Sequence, residues 1–264
     1  MSYRLGIIGA GVMANALVSQ MLKTGLHPEE IIVYDIDSEK SASIHPSAHV
    51  AASDNEVISQ SDMILFSVKP QHYKEITENN VFSDDKIVIS IMAGVKIEVL
   101  RKNLRSDCGI LRVMPNMPCK IAKGVCALCF DKINQQNKEF LLRLFASCGD
   151  IIEISEDKFD AVTSVSGSGP AYVYMFLQGM IEGGMRGGLT YEESKKLAVA
   201  TLIGGTELAK ISSDDLNVMI DRVCSKGGTT IEAVDIYRQK GLVDIVAEGI
   251  DACRAKSKLL SEKL

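Results

Sequence analysis

The chain has 264 residues, 29 Lys and Arg against 34 Asp and Glu, and a formal net charge of −5. Its 46% hydrophobic and 24% charged content, at a length suited to two domains, excludes wholesale disorder, a collagen-like chain and a small disulfide scaffold. Mild acidity, absent Trp and 5% aromatics argue against nucleic acid as a partner, because the chain carries no basic excess and few rings on which bases could stack.

The first residues lack the basic, apolar and cleavage regions of a secretory leader, so a cytoplasmic, reducing location is expected. Short β-rich runs then alternate with helical segments. Leu5–Ile8, Ile31–Tyr34, Asp62–Val68, Lys86–Ile91, Gly109–Val113 and Gly124–Phe130 are nearly unbroken apolar runs, as strands covered on both faces require. Val12–Lys23 has helical periodicity and closes at Gly25. The alternation predicts an α/β, Rossmann-type, doubly wound and mostly parallel sheet. Cys126 and Cys129 form a C-x-x-C inside one strand, where positions i and i+3 face opposite sides. With no second Cys/His cluster, no metal site is expected.

The pattern changes after Asp150–Ile154. Pro170–Met185, Tyr191–Ile211, Leu216–Val223, Thr230–Gln239 and Val243–Leu260 read as helices. Thr190/Glu193 and Thr229/Glu232 have capping-box spacing, and Gly188 and Gly241 are helix stops. The change of periodicity divides the chain into residues 1–154, the doubly wound domain, and 155–264, an all-α domain. Their roles, in dinucleotide binding and in substrate binding and dimerisation, rest on the motifs each carries. Residues 161–181 carry no charge, but Ser166-Gly-Ser-Gly-Pro170 interrupts them, so no membrane span is expected. The helix after Pro170 is apolar nearly all round, from Ala171 and Val173 to Met180 and Ile181, with Gly179, Gly183 and Gly184 allowing close helix contact. So small a helical half cannot cover it alone, which predicts a homodimer with this helix at its centre.

Gly9-Ala-Gly-Val-Met-Ala14 is a G-x-G-x-x-A sequence between the first strand and the first helix. Gly9 permits the tight turn, Gly11 lets the backbone approach a pyrophosphate, and Ala14 lets helix pack on strand. Gly9, Gly11, Val12, Met13 and Ala14 are thus the expected cofactor cradle. Asp35, ending the second strand, is either an acceptor for the adenosine ribose or a solvated strand-end carboxylate. As a ribose ligand it favours NADH over NADPH, with Lys40 near enough to matter. Lys69, before Pro70 at another strand end, is either a cofactor contact or a surface lysine. Ser225-Lys-Gly-Gly-Thr-Thr230 runs into a helix and offers hydroxyls and free N–H groups, suited either to a small carboxylate or to plain N-capping.

Asp221-Arg-Val-Cys-Ser-Lys-Gly-Gly-Thr-Thr-Ile-Glu-Ala233 and Val165-Ser-Gly-Ser-Gly-Pro-Ala-Tyr-Val173 resemble the two hallmark motifs of the pyrroline-5-carboxylate reductases. Val68-Lys-Pro70, Ala93-Gly-Val95 and Arg112-Val-Met-Pro-Asn116 match that family in the same order, so the resemblance spans essentially the whole chain. One departure is Lys226, where the family usually carries Pro. The resemblance implies hydride transfer from NADPH or NADH to the C=N bond of 1-pyrroline-5-carboxylate, giving L-proline in the last step of proline biosynthesis. It implies that Ser225, Gly228, Thr229 and Thr230 hold the substrate carboxylate, with Thr230 and Ser225 as the catalytic pair and the Thr230 hydroxyl on the ring nitrogen. It implies cofactor contacts from Asn55, Ser67, Val68, Lys69, Pro70, Met92, Ala93 and Gly94, a homodimer and in some cases a decamer, and family habit leans to NADPH.

Two alternatives stand beside this reading. One is another imine or hydroxyacid reductase on the same two-domain plan, although a hydroxyacid dehydrogenase should carry a lysine in the central helix and none occurs after Pro170 until Lys195. The other is a nucleotide-sensing relative without turnover.

Overall fold

The computed structural model describes residues 2–263. Its first part alternates β1 (Tyr3–Ile8), α1 (Val12–Met21), β2 (Ile31–Tyr34), α2 (Ser38–Ser43), β3 (His49–Val50), α3 (Asp54–Gln60), β4 (Ser61–Phe66), α4 (Tyr73–Asn79), β5 (Ile87–Ser90), α5 (Ile97–Leu104), β6 (Gly109–Met114), β7 (Gly124–Asp131), α6 (Gln135–Ala146) and β8 (Gly149–Glu153). The strands form one sheet in the order β3-β2-β1-β4-β5-β6-β7-β8. All neighbours are parallel except β6 and β7. This is the doubly wound sheet expected from the apolar runs. The two-residue β3 is the strand that periodicity missed, because both its residues are exposed.

Strand alternation distributes the apolar side chains between two cores. Leu5, Ile7, Ile31, Val33, Met63 and Leu65 join the core that packs Ala14, Leu17, Val18 and Met21 of α1. Ile8, Ile32, Ile64 and Phe66 face the other way, toward Val57, Tyr73 and Leu100. Every second residue thus serves a different layer of helices.

After β8 the chain is helical: α7 (Phe159–Val162), α8 (Gly169–Arg186), α9 (Tyr191–Ile211), α10 (Leu216–Val223), α11 (Thr229–Gln239) and α12 (Leu242–Ser261). Thr190 caps α9 as expected: its hydroxyl accepts the Glu193 N–H at 3.3 Å, and Glu193 accepts the Thr190 N–H at 2.8 Å. The Gly/Ser segment before Pro170, expected to be a loop, is instead a π-helical turn over Thr163–Gly167. Here Ser164 and Ser166 donate to the carbonyls of Ala161 and Val162, so their hydroxyls support a wide turn rather than break the helix.

The chain divides into two compact units, Met1–Ser168 with Cys253–Leu264, and Gly169–Ala252. The strands stop at Glu153, close to the seam read from periodicity, but the first unit continues through the π turn and takes back the end of α12. Ser257 donates to Asp160 at 2.6 Å, and the Cys253 thiol donates to Ser168 at 3.4 Å. In the second unit, a Cβ on Gly184 of α8 would meet the Ser194 hydroxyl of α9 at 2.6 Å, whereas Gly179 and Gly183 face open space. Among the described residues no helix is long and apolar enough to cross a membrane.

All seven cysteines are free. Cys126 is fully buried with its sulfur 3.7 Å from that of Cys119, while Cys129 is partly exposed, so the two sulfurs of the C-x-x-C do not converge.

A half-buried ion pair lies at the carboxyl ends of β5 and β6. Arg112 of β6 is 5% exposed and donates to Glu156 at 2.7 Å, and its guanidinium lies 4.5 Å from the Phe159 ring centroid. Glu156 also accepts the Ile97 N–H at 2.7 Å, which holds the start of α5. Glu156→Ala leaves the guanidinium without its counterion, and a denaturant titration should show a loss of about 3 kcal/mol.

Candidate active site

The sheet order turns back at β1, which lies between β2 and β4, and α/β sheets take their ligands in the crevice beyond such a switch point. Gly9 leaves β1 with φ +93°, and a Cβ on it would lie 2.7 Å from the Ser67 carbonyl. Its N–H donates to the Tyr34 carbonyl at 2.9 Å, and the Ser67 N–H donates to the Ile8 carbonyl at 2.9 Å. The loop is therefore tied to both neighbouring strands. Gly11 is the N-cap of α1, with an ordinary φ of −72°, and nothing lies within 4 Å of where its Cβ would be. That open space faces the unpaired N–H groups of a helix start, which fits a dinucleotide pyrophosphate. Ala14 is fully buried against the core, Val12 is exposed, and Met13 is half-buried.

Asp35 does more than end β2. Its carboxylate accepts the Ala10 N–H at 2.7 Å and the Asp37 N–H at 3.0 Å, so it braces the glycine loop. Asn15 has a similar part that the sequence pattern did not reveal. Its amide donates to the carbonyls of Ala10 and Gly11 at 3.0 and 3.3 Å. A polar residue in the first turn of α1 was the sole signal for it.

A cavity of about 250 Å³ opens beside this loop, lined by Met13, Ser67, Val68, Ile91, Met114, Pro115, Asn116, Met117 and Gly167. Three of the expected cofactor residues, Met13, Ser67 and Val68, meet here. Lys69 is exposed and Pro70 half-buried in the turn that follows, Met92 is buried in the core, Ala93 is exposed, and Gly94 is buried beyond β5. Asn55 is exposed in the first turn of α3. None of these six lines the cavity. Asn116 organises the wall: it accepts the Val125 N–H at 3.0 Å and donates to the Ser166 carbonyl at 3.2 Å. A Cβ on Gly167 would strike Met114 at 2.4 Å, so the absence of a side chain there lets the π turn close on the cavity wall.

In the second unit, the expected substrate residues gather at the start of α11. The capping box read at Thr229/Glu232 does not form. Gly228 is the N-cap and makes no side-chain bond, which places Thr229 one position inside the helix. The Gly228 N–H donates to the Ser225 carbonyl at 3.0 Å, and a Cβ on Gly228 would lie 2.4 Å from the Ser225 hydroxyl. Ser225 and Thr229 are exposed and Thr230 half-buried at this helix start, where backbone N–H groups are unpaired. Lys226 is exposed beside them.

Comparison with known proteins places this geometry. The profile for pyrroline-5-carboxylate reductase dimerisation matches residues 156–260, and that for NADP oxidoreductase, coenzyme F420-dependent, matches residues 4–94. The pyrroline-5-carboxylate reductase of Synechocystis sp. is 34% identical over 100% of both chains, and that of Aquifex aeolicus is 35% identical over 98% of each. The chain belongs to the pyrroline-5-carboxylate reductase family. The crystal structure of Plasmodium falciparum pyrroline carboxylate reductase with NADP bound is 30% identical, with a TM-score of 0.90 over 98% of each chain. The helical part of this family member is accordingly a dimerisation domain, and its chains form a homo-oligomer.

The two glycines of the loop should separate experimentally. Gly9→Ala forces a positive φ on a residue with a Cβ and should cost about 1–3 kcal/mol of folding stability. Gly11→Ala has room in the fold and should stay within about 0.5 kcal/mol of the parent by denaturant titration. In a fluorescence titration, however, it should weaken NAD(P)H binding by roughly tenfold or more, because its methyl enters the space left for the pyrophosphate.

Proposed function

We propose that this chain reduces the C=N bond of 1-pyrroline-5-carboxylate with NAD(P)H, giving L-proline as the last step of proline biosynthesis. The observation that carries this reading is the full-length relation to enzymes of that name, joined to an open glycine loop and an uncapped, hydroxyl-bearing start of α11. When bound, the reduced nicotinamide supplies the hydride. Residues 1–154 hold the nucleotide through Gly9, Gly11, Val12, Met13 and Ala14, with Ser67 and Val68 at the cavity wall and Asp35 behind the loop. Asn55, Lys69, Pro70, Met92, Ala93 and Gly94 are proposed as further contacts through their backbone or through closure around the bound nucleotide.

Residues 155–264 hold the substrate and the partner chain. The N–H groups of the first turn of α11, with Ser225, Gly228, Thr229 and Thr230, take the carboxylate. The Thr230 hydroxyl bonds the ring nitrogen. The imine nitrogen would enter already protonated from solvent, its N–H donating to the Thr230 hydroxyl. Hydride supplied to the imine carbon would then turn C=N⁺ into the neutral amine, so atoms and charge balance. A protonated imine is already a strong electrophile, and positioning with hydrogen bonding supplies most of what remains. This suits a helical half without histidine. The working unit is a homodimer in the cytoplasm, with a decamer as its higher assembly. Light scattering should return either twice or ten times the mass of one chain.

Purified protein should consume nicotinamide absorbance only when 1-pyrroline-5-carboxylate is added. Failure with both NADH and NADPH, in protein that binds them, would remove the assignment. Thr230→Ala should lower kcat/KM by roughly tenfold to a hundredfold, as expected for loss of a hydrogen bond to a charged group. An unchanged value would take Thr230 out of its role.

A further inference from the structure

Beyond β2 the chain carries three acids and one lysine in a short stretch, Asp35, Asp37, Glu39 and Lys40. Their arrangement is specific. The Asp35 carboxylate receives N–H groups from Ala10 on one oxygen and Asp37 on the other, while its own N–H donates to the Ser41 hydroxyl at 2.8 Å. A carboxylate has about four acceptor positions, so two remain for the hydroxyls of an adenosine ribose. Asp37 caps α2 by accepting the Glu39 N–H at 3.2 Å, and its second oxygen holds the Lys40 ammonium at 3.1 Å. The Lys40 hydrogen bond keeps the Asp37 carboxyl below its ordinary pKa, and Asp37 in turn raises that of Lys40, so both are charged where they meet at the surface. Ser43 is also engaged: it donates to the Lys40 carbonyl at 2.7 Å and accepts from Asn15 at 3.3 Å. Ile36, between the two aspartates, is 94% exposed, an apolar side chain with nothing of its own unit against it.

These observations describe the end of a dinucleotide site that takes a ribose with free hydroxyls. Ile36 offers an apolar face to adenine, Asp35 offers acceptors to the ribose, and Lys40, the one cation of residues 35–44, is paired with Asp37. A 2′-phosphate would bring its charge against Asp35 and Asp37, and residues 35–44 offer it no guanidinium fork and a single ammonium, Lys40, that already meets Asp37. We propose that this chain is selective for NADH, with Asp35 as the ribose ligand and Asp37 as a second specificity residue that withholds Lys40 from a 2′-phosphate. The inference rests on the reading of the glycine loop as the nucleotide site.

The test measures kcat/KM with each nucleotide and, separately, nucleotide affinity by nicotinamide fluorescence without substrate. The parent should favour NADH over NADPH by roughly tenfold or more in both, the scale of placing a dianion beside two carboxylates at a solvated surface. Asp37→Ser keeps a good N-cap for α2 and frees Lys40, so the NADPH:NADH ratio should rise about tenfold. Lys40→Ala added to it should cancel that rise. Asp35→Asn keeps an acceptor for the Ala10 N–H, so the loop stays braced, and should also move the ratio toward NADPH. Equal or better use of NADPH by the parent overturns the proposal, as does a ratio that Asp37→Ser leaves in place. If neither nucleotide is oxidised with 1-pyrroline-5-carboxylate while binding still favours NADH, the reductase reading falls and the selectivity stands. If both are oxidised equally, the selectivity falls and the reductase reading stands.

Discussion

The approach of the Gly9 backbone to the Ser67 carbonyl is the contact on which the nucleotide half depends. Parallel pairing sets Ile8 opposite Phe66 at the ends of β1 and β4, so the residues that follow must cross within touching distance. A side chain at Gly9 would separate the two strand ends, since its Cβ would lie 2.7 Å from a carbonyl that cannot move without the strand. Because the strands stay together, the loop rises steeply, α1 begins with its N–H groups over the crevice, and Ser67 and Val68 form the wall beside Met13. Asp35 and Asn15 then fix the loop from two sides, one by accepting an N–H and the other by donating to carbonyls. The loop backbone is thus held through both a donor and acceptors, while the N–H groups at the start of α1 stay available.

The helical half has the opposite problem, too much apolar surface for its size. In α8 only Ile181 is buried, while Tyr174 and Met175 are 62% and 73% exposed. Burial of such side chains is the main driving force for association, so a chain that leaves them bare is incomplete as a monomer. The glycines of α8 divide the labour. Gly184 is filled from within by Ser194 of α9, and Gly179 and Gly183 remain open. A second copy of the chain, as the dimerisation profile requires, is the partner that such a face suits.

Most of the sheet was legible because buried parallel strands write continuous apolar runs, and the glycine loop because its spacing is dictated by backbone geometry. What escaped depends on side chains whose partners are remote or whose choice is balanced. The exposed pair His49–Val50 gives no apolar signal, yet β2 offers it an edge to pair with. Ser166-Gly-Ser-Gly-Pro170 reads as a break by composition, yet serine hydroxyls that return to helix carbonyls and a proline tolerated in the first turn of α8 keep it helical. At α11, Gly228 takes the N-cap and Thr229 falls one position inside the helix, and the Ser225 hydroxyl fills the space that a side chain at 228 would need. Likewise Asp35 was legible as an acidic strand end but not as a brace, because Ala10 is distant in sequence.

The loss of that capping box bears directly on the chemistry. Had Thr229 capped α11, its hydroxyl would have been spent on the Glu232 N–H, and the first turn would have offered less to an anion. With glycine at the N-cap, the helix start keeps its unpaired N–H groups, and Ser225, Thr229 and Thr230 bring hydroxyls to the same turn of sequence. Groups fixed to a helix backbone need little reorganisation when charge changes on a bound ligand, which is how preorganised dipoles accelerate a reaction. An imine asks for that kind of help. Its nitrogen takes a proton readily, and its neighbouring carboxylate supplies an anchor, so a rigid ring of donors can do what a titrating histidine does elsewhere. The same glycine that costs α11 its side-chain cap thus leaves its first turn open, as the proposed carboxylate and imine site requires.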